Sequence, residues 1–209
     1  MHEPQGLLRL NLGCGLQTPA GWVNVDYSVG AMLAKLPGIR ALRFTRGQWD
    51  PRVVLADLRR AFPWRDGAAQ VIYSSHTLEH LSAPDGARFL EQSYRVLAPG
   101  GVIRIVVPDL RAIVDAYVRG EIPAERFVDE LGAGYQQPGD GFIKRLLAPV
   151  VRAPHKCMYD EAALLAALRR ARFDARPRAP FDSDIPDIRL IELESRTRNA
   201  VIVEGRKVG

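Results

Sequence analysis

At 209 residues the chain is long enough to bury one good core and short for two domains. Its 47% apolar and 25% charged residues exclude a disordered chain, no apolar run reaches the ~20 residues of a membrane span, and the start MHEPQGLLRLNLGCG lacks the basic, apolar and cleavage segments of a signal peptide, so the expectation is a cytoplasmic protein without membrane contact. The net charge of +5 comes from 25 Arg and 4 Lys scattered rather than gathered in a stripe, which does not favour a nucleic-acid partner, and two cysteines, Cys14 and Cys157, are too few for a disulfide framework.

Seven strand-type runs follow in order: LLRLNL (7–12), WVNVD (22–26), RVVLA (52–56), AAQVIYSS (68–75), GGVIRIVVP (100–108), RFDARPRA (172–179) and NAVIVEG (199–205). Helical spacings lie between them, which predicts an α/β fold with a mostly parallel sheet. PDGARFLEQSYRVL carries Phe89, Leu90, Tyr94 and Leu97 at helical intervals and stops at Pro99-Gly100-Gly101. YDEAALLAALRRARF has Asp160 as N-cap and Leu164, Leu165 and Leu168 along one side. The stretch from Asp109 to Lys156 departs from the alternation: two helices, LRAIVDAYVRG and AERFVDELGAG, then the loop YQQPGDG and the apolar FIKRLLAPVV. An insertion of this kind after a sheet strand reads as a lid or substrate wall over 110–156 of one domain spanning 1–209.

The first strand runs into Gly13-Cys14-Gly15, bare backbone at the carboxyl edge of the sheet. A dinucleotide fingerprint would place a third glycine at position 18, where this chain has Thr18, and its acidic residue later than Asp26. The short LQTPAGW also leaves no helix N-terminus for a pyrophosphate. A ligand without phosphates fits better, with Asp26 accepting both hydroxyls of a ribose. Asp57 ends the next strand, where its carboxylate can accept from an adenine amine or cap the turn DLRRAFP, and Leu58 can pack on the base. The fourth strand runs into Ser74, Ser75, His76, Glu79 and His80. HTLEH is not the zinc-protease order H-E-x-x-H and shows no third ligand, so no metal is expected.

Taken in order, LNLGCG, NVDYS, LADL, DGAAQVIYSSHTLEHL and YRVLAPGGVIRIVVPD resemble the class I S-adenosylmethionine-dependent methyltransferases of the type 11 group, across about residues 7–109. HKCMYDEAALLAALRRARFD resembles a later element of the same group. The resemblance implies a Rossmann-like seven-stranded sheet of order 3-2-1-4-5-7-6, with strand 7 antiparallel, and S-adenosylmethionine as cofactor. By position it assigns Gly13, Cys14 and Gly15 to the methionine moiety, Asp26 to the ribose, Asp57 and Leu58 to the adenine, and Ser74, Ser75 and His76 to the sulfonium face, with Tyr27 also in the cofactor set. Two departures stand out: Asn11 where many relatives are acidic, and a very short first crossover. His80 and His155 are the candidate general bases, Asp109 and Tyr159 weaker ones, since Asp109 also suits an N-cap and Tyr159 also suits packing. The acceptor implied is a small molecule or glycan methylated on oxygen or nitrogen. A nucleic-acid methyltransferase, for which no N/D-P-P-Y signature is present, and a non-catalytic cofactor-binding scaffold remain the alternatives.

Overall fold

The computed structural model describes residues 6–35, 49–134 and 154–209. His2, YQQPGDG and FIKRLLAPVV, the last two being most of the second half of the expected insertion, lie outside them. The elements are β1 (Leu8–Leu12), β2 (Val23–Asp26), α1 (Val29–Ala34), β3 (Val54–Leu55), β4 (Ala69–Ser75), α2 (Ala83–Val96), β5 (Leu97–Pro108), α3 (Leu110–Val118), α4 (Ala124–Glu130), α5 (Glu161–Arg170), β6 (Phe173–Pro177), α6 (Glu194–Thr197) and β7 (Ala200–Lys207), with 3-10 turns at Leu78–His80 and Ile188–Leu190.

The strands form one sheet of order β3-β2-β1-β4-β5-β7-β6. β1 to β5 pair in parallel, and β7 runs antiparallel to both β5 and β6. The expected order is therefore the observed one. The strand order reverses at β1, between β2 and β4, and the crevice outside the carboxyl ends of such strands is where open α/β sheets bind ligands.

Burial on both faces explains the strand composition. In β5, Ile103, Ile105 and Val107 join the core under α2 and α5, while Val102 and Val106 join the opposite cluster with Trp22, Tyr73 and Ile202. Ser82 caps α2 by accepting from the Asp85 amide, and the helix buries Phe89, Leu90 and Val96. Asp160 caps α5 through the Ala163 amide, Arg169 and Arg170 close its last turn, and Leu164 and Leu168 face the sheet. Burying each such side chain contributes ~1.5–3 kcal/mol. β3 is shorter than the run at 52–56 suggests. Asp50 holds Arg52 through two oxygens and the Val53 amide donates to the Asp50 carbonyl, so the chain is still turning there.

The second face differs from a helix layer. Among the described residues, Ile185, Ile188 and Ile191 of the largely irregular stretch 179–192 cover it. Arg104, in the middle of β5 and fully buried, pins that stretch down. Its five donors are all used: Nε and Nη2 to the two oxygens of Glu192 (2.5 and 2.8 Å), Nη1 to Glu204 (3.0 Å) and to the Asp182 carbonyl (2.8 Å), and Nη2 to the Ala179 carbonyl (3.1 Å).

Candidate active site

A cavity of about 940 Å³ opens at the carboxyl ends of β1, β2 and β4. Its floor is the glycine loop. Gly13 (φ +75°) and Gly15 (φ +54°) sit in the left-handed region, and a Cβ on Gly13 would lie 2.0 Å from Oγ1 of Thr77. The Gly13 and Cys14 amides both donate to the Val25 carbonyl (2.9 Å each). Asp26 takes the Gly15 amide on Oδ2 (2.9 Å) and the Ser28 amide on Oδ1 (2.7 Å), so this carboxylate ties the loop to β2 while still lining the cavity.

The crossover from β1 to β2 contains no helix, and two amide side chains hold it. Asn11 donates to the Gln17 carbonyl (3.0 Å) and to Oδ1 of Asn24 (2.9 Å), and Asn24 donates to the Pro19 carbonyl (3.2 Å). An aspartate at position 11 has no N–H for either of those acceptors.

The structure brings most of the sequence-selected residues into one place. Gly13, Cys14, Gly15, Asp26, Tyr27, Asp57 and Leu58 line the cavity, as do Ser75, His76 and His80. Ser74 does not: it is buried and donates its hydroxyl to the Leu12 carbonyl (3.0 Å), because alternate residues of β4 face opposite sides of the sheet. Asp57 is clasped by Nε and Nη2 of Arg59 (2.8 Å each), and that hydrogen bonding holds its carboxyl below the usual range. It also accepts the Arg59 amide, so its turn-capping role is real. Burial pushes the Cys14 thiol up to about 12, with the Asp26 charge adding to it, so Cys14 stays protonated at neutral pH. Asp109 caps α3 through the Arg111 amide, and Tyr159 packs on the main core.

His155 lies beside the cavity rather than in its wall, and the fold places it against the end of β4. The Lys156 and Cys157 amides both donate to the Glu79 carbonyl (2.7 and 3.1 Å), docking HKCMYD onto HTLEH. The His80 and His155 rings meet edge to face with centroids 4.8 Å apart. Nδ1 of His155 lies 2.7 Å from the Leu131 carbonyl and its Nε2 lies 3.9 Å from Oε1 of Glu79. Burial lowers the His155 pKa. Nε2 of His76 lies 2.9 Å from the Arg196 carbonyl and its Nδ1 3.4 Å from the same Glu79 oxygen. Glu79 is fully buried, and neither carboxylate oxygen has a hydrogen-bond partner.

Sequence reasoning missed several wall residues: Asn11 and Gln17 as a loop clamp, Thr77, Lys156, and Leu193 with Arg196 from the α6 region. Thr77 and Lys156 lie inside motifs that were singled out, HTLEH and HKCMYD. Leu193 and Arg196 lie in a segment with no motif, and only the strap over Arg104 carries them to the sheet edge.

This sheet order, with its antiparallel seventh strand and a glycine loop at the topological switch, is the fold of the class I methyltransferases. Residues 10–105 match the family described as a methyltransferase domain. A methyltransferase domain over that segment, together with this sheet order, supports an S-adenosylmethionine-dependent methyltransferase with S-adenosylmethionine as its cofactor. Among solved structures, the chain is similar to YcgJ from Bacillus subtilis (12% identity, 98% of this chain and 94% of that one, TM-score 0.54). It is also similar to an S-adenosylmethionine-dependent methyltransferase from Mesorhizobium loti (18%, 99% and 93%, TM-score 0.50) and to a chain of the Haloferax volcanii complex formed with the Trm112 methyltransferase activator (15%, 99% and 86%, TM-score 0.51). At these identities the likeness is one of fold. Two other similar chains are longer, and this one spans 52% and 50% of them. A search of curated proteins finds no matching sequence. No described helix is long and apolar enough to cross a membrane.

Proposed function

We propose that the protein methylates an oxygen or nitrogen of a small-molecule or glycan acceptor, working in the cytoplasm as one domain whose 110–156 stretch forms the substrate-side wall. One observation carries this reading. A single cavity of about 940 Å³ is lined by the glycine loop and Asp26 and also by His80 and Lys156. That volume is at the upper end of the ~300–1,000 Å³ of small-molecule sites, which leaves room for an acceptor beside the cofactor. The two unpaired thiols suit a reducing compartment.

The cofactor supplies a methyl group already activated on sulfur, so the chain's task is alignment and exclusion of water. Asp26 keeps lone pairs for ribose hydroxyls beyond the two amides it holds. Leu58 offers a flat apolar contact to the base, and Asp57, fixed by Arg59, presents a carboxylate oxygen at the adenine edge. Ser75 and His76 wall the reacting end. The acceptor enters past Lys156, and its proton leaves on the side of His80, with His155 behind. On the substrate side, α3 starts directly after β5, and the Gly132 carbonyl accepts the His155 amide (2.9 Å), tying the described half of the insertion to the histidines.

Calorimetry with S-adenosylmethionine and its demethylated product tests the reading. Saturable uptake that falls on Asp26→Ala supports it; absence of uptake by folded protein removes it in favour of a scaffold. With an acceptor in hand, His155→Ala lowers turnover more than cofactor affinity, and equal losses would take His155 off the acceptor side.

A further inference from the structure

We propose that Glu79, His80 and His155 hold a divalent transition-metal ion, with Zn²⁺ the best fit to the donors, and that its open coordination position faces the methyl-acceptor end of the cavity. One ligand atom from each of the three residues lies within 4.8 Å of the others. Tetrahedral Zn²⁺ with bonds of ~2.0–2.2 Å sets its ligands ~3.4 Å apart, so the widest pair must draw in by a little over ~1 Å, within reach of side-chain rotation.

The hydrogen bonds around the cluster are what call for a cation. A backbone carbonyl only accepts, so the histidine nitrogen facing it carries the hydrogen. Nδ1 of His155 faces the Leu131 carbonyl at 2.7 Å, so in the neutral ring the Nε2 lone pair lies on the side of Glu79, 3.9 Å from its Oε1. Nε2 of His76 faces the Arg196 carbonyl at 2.9 Å, which leaves Nδ1 with its lone pair directed at the same carboxylate. Nδ1 of His80 faces the Pro154 carbonyl at 3.4 Å, leaving its Nε2 as the acceptor nitrogen. With neutral rings, acceptor nitrogens of His76 and His155 thus lie 3.4 and 3.9 Å from a fully buried carboxylate that has no hydrogen-bond partner. A cation between them turns this repulsion into coordination. The carbonyls are also the outer partners that orient metal-binding histidines.

Two imidazoles and a carboxylate suit Zn²⁺ and its first-row neighbours, whereas Mg²⁺ prefers oxygen donors throughout. Three protein ligands leave a position open, as in catalytic sites. His80 and Lys156 line the cavity while Glu79 and His155 lie behind, so the open position looks toward the acceptor. The role that follows rests on the proposed function for an oxygen acceptor. The ion lowers the pKa of the acceptor hydroxyl, whose proton leaves to solvent. The oxygen's electron pair then bonds the methyl carbon as the carbon–sulfur pair returns to sulfur, giving an ether, a thioether and one released proton.

The test uses the full chain stripped of metal, titrated with Zn²⁺ by calorimetry and with Co²⁺ by visible absorption. One ion per chain with the d–d bands of a four- or five-coordinate site is expected. Affinity should fall by at least the ~10- to 100-fold lost with a metal's outer partners, in both Glu79→Gln and His155→Gln. Acetohydroxamate, a small bidentate oxygen ligand, should shift the Co²⁺ bands, and unchanged bands would close the open position. Either no Co²⁺ spectrum, or the same affinity in both variants, overturns the site and leaves a histidinium–carboxylate cluster. If Glu79→Gln does not fold, His155→Gln decides alone. S-adenosylmethionine uptake is measured on the same samples: uptake without metal binding sinks only the metal site, and metal binding without uptake sinks only the proposed function.

Discussion

Arg104 and Glu79 are both charged and both fully buried, at the centre of the sheet and at the end of β4, and their surroundings are opposite. Every donor of Arg104 meets an acceptor, two of them the oxygens of one carboxylate. Both oxygens of Glu79 lack a donor. Asp26 stands between them, with two backbone amides bound and its remaining lone pairs toward the cavity. Taking a charge out of water costs several kcal/mol unless partners replace the water. A saturated buried charge therefore reads as part of the scaffold, a half-saturated one as a place prepared for a ligand, and an unsatisfied one as a site whose missing partner is a cation.

The largest effect should come from breaking the saturated network. Glu192→Ala leaves Arg104 buried with half its charge compensation gone and should cost ~3–5 kcal/mol in chemical unfolding, releasing the 179–192 strap. A loss under about 1 kcal/mol would mean that the network is not what holds that face. Asp26→Ala comes next, weakening S-adenosylmethionine binding by ~1–3 kcal/mol, the scale for hydrogen bonds to a charged group. Unchanged affinity in calorimetry would reduce Asp26 to a fastener of the glycine loop. Glu79→Gln should act in the other direction. In metal-free protein it removes an unsatisfied buried charge and should leave stability unchanged or raise it by up to ~2 kcal/mol; a loss as large as that of Glu192→Ala would erase the contrast.

The smallest effect is on the pH profile. Burial raises the Cys14 thiol and the Tyr73 phenol each to about 12. In the unfolded chain they lose their protons near pH ~8.5–10. The folded state thus binds these protons more tightly, so their contribution is complete below pH ~8.5 and is lost as pH rises toward about 12. Melting temperature should decline over that window, and Cys14→Ala should flatten part of the decline. An identical profile in the variant would show that Cys14 does not contribute.

The cofactor side was legible because it is local in sequence. Gly13, Gly15 and Asp26 lie within one strand–loop–strand unit, and the near-continuous apolar runs of β4 and β5 declare strands buried on both faces. Even there Ser74 misled, since adjacent residues at a strand end look alike in composition and face opposite ways. The acceptor side was less legible. HTLEH and HKCMYD were each visible, but 75 residues separate His80 from His155, and their meeting depends on two amides donating to the Glu79 carbonyl.

The strand order was legible only through the resemblance to the class I pattern, and the start of α5 through Asp160, a capping signal within a short window; the end of α2 was not, since the chain passes from helix to strand at Leu97, before Pro99-Gly100-Gly101. Tertiary structure alone decided what Arg104 and Glu79 are for. A buried charge has no meaning until the chain shows which donors and acceptors surround it: those of Arg104 come from segments 75 to 100 residues away, and Glu79 meets the distant His155 as well as its neighbours His76 and His80, brought there by packing rather than by local preference alone.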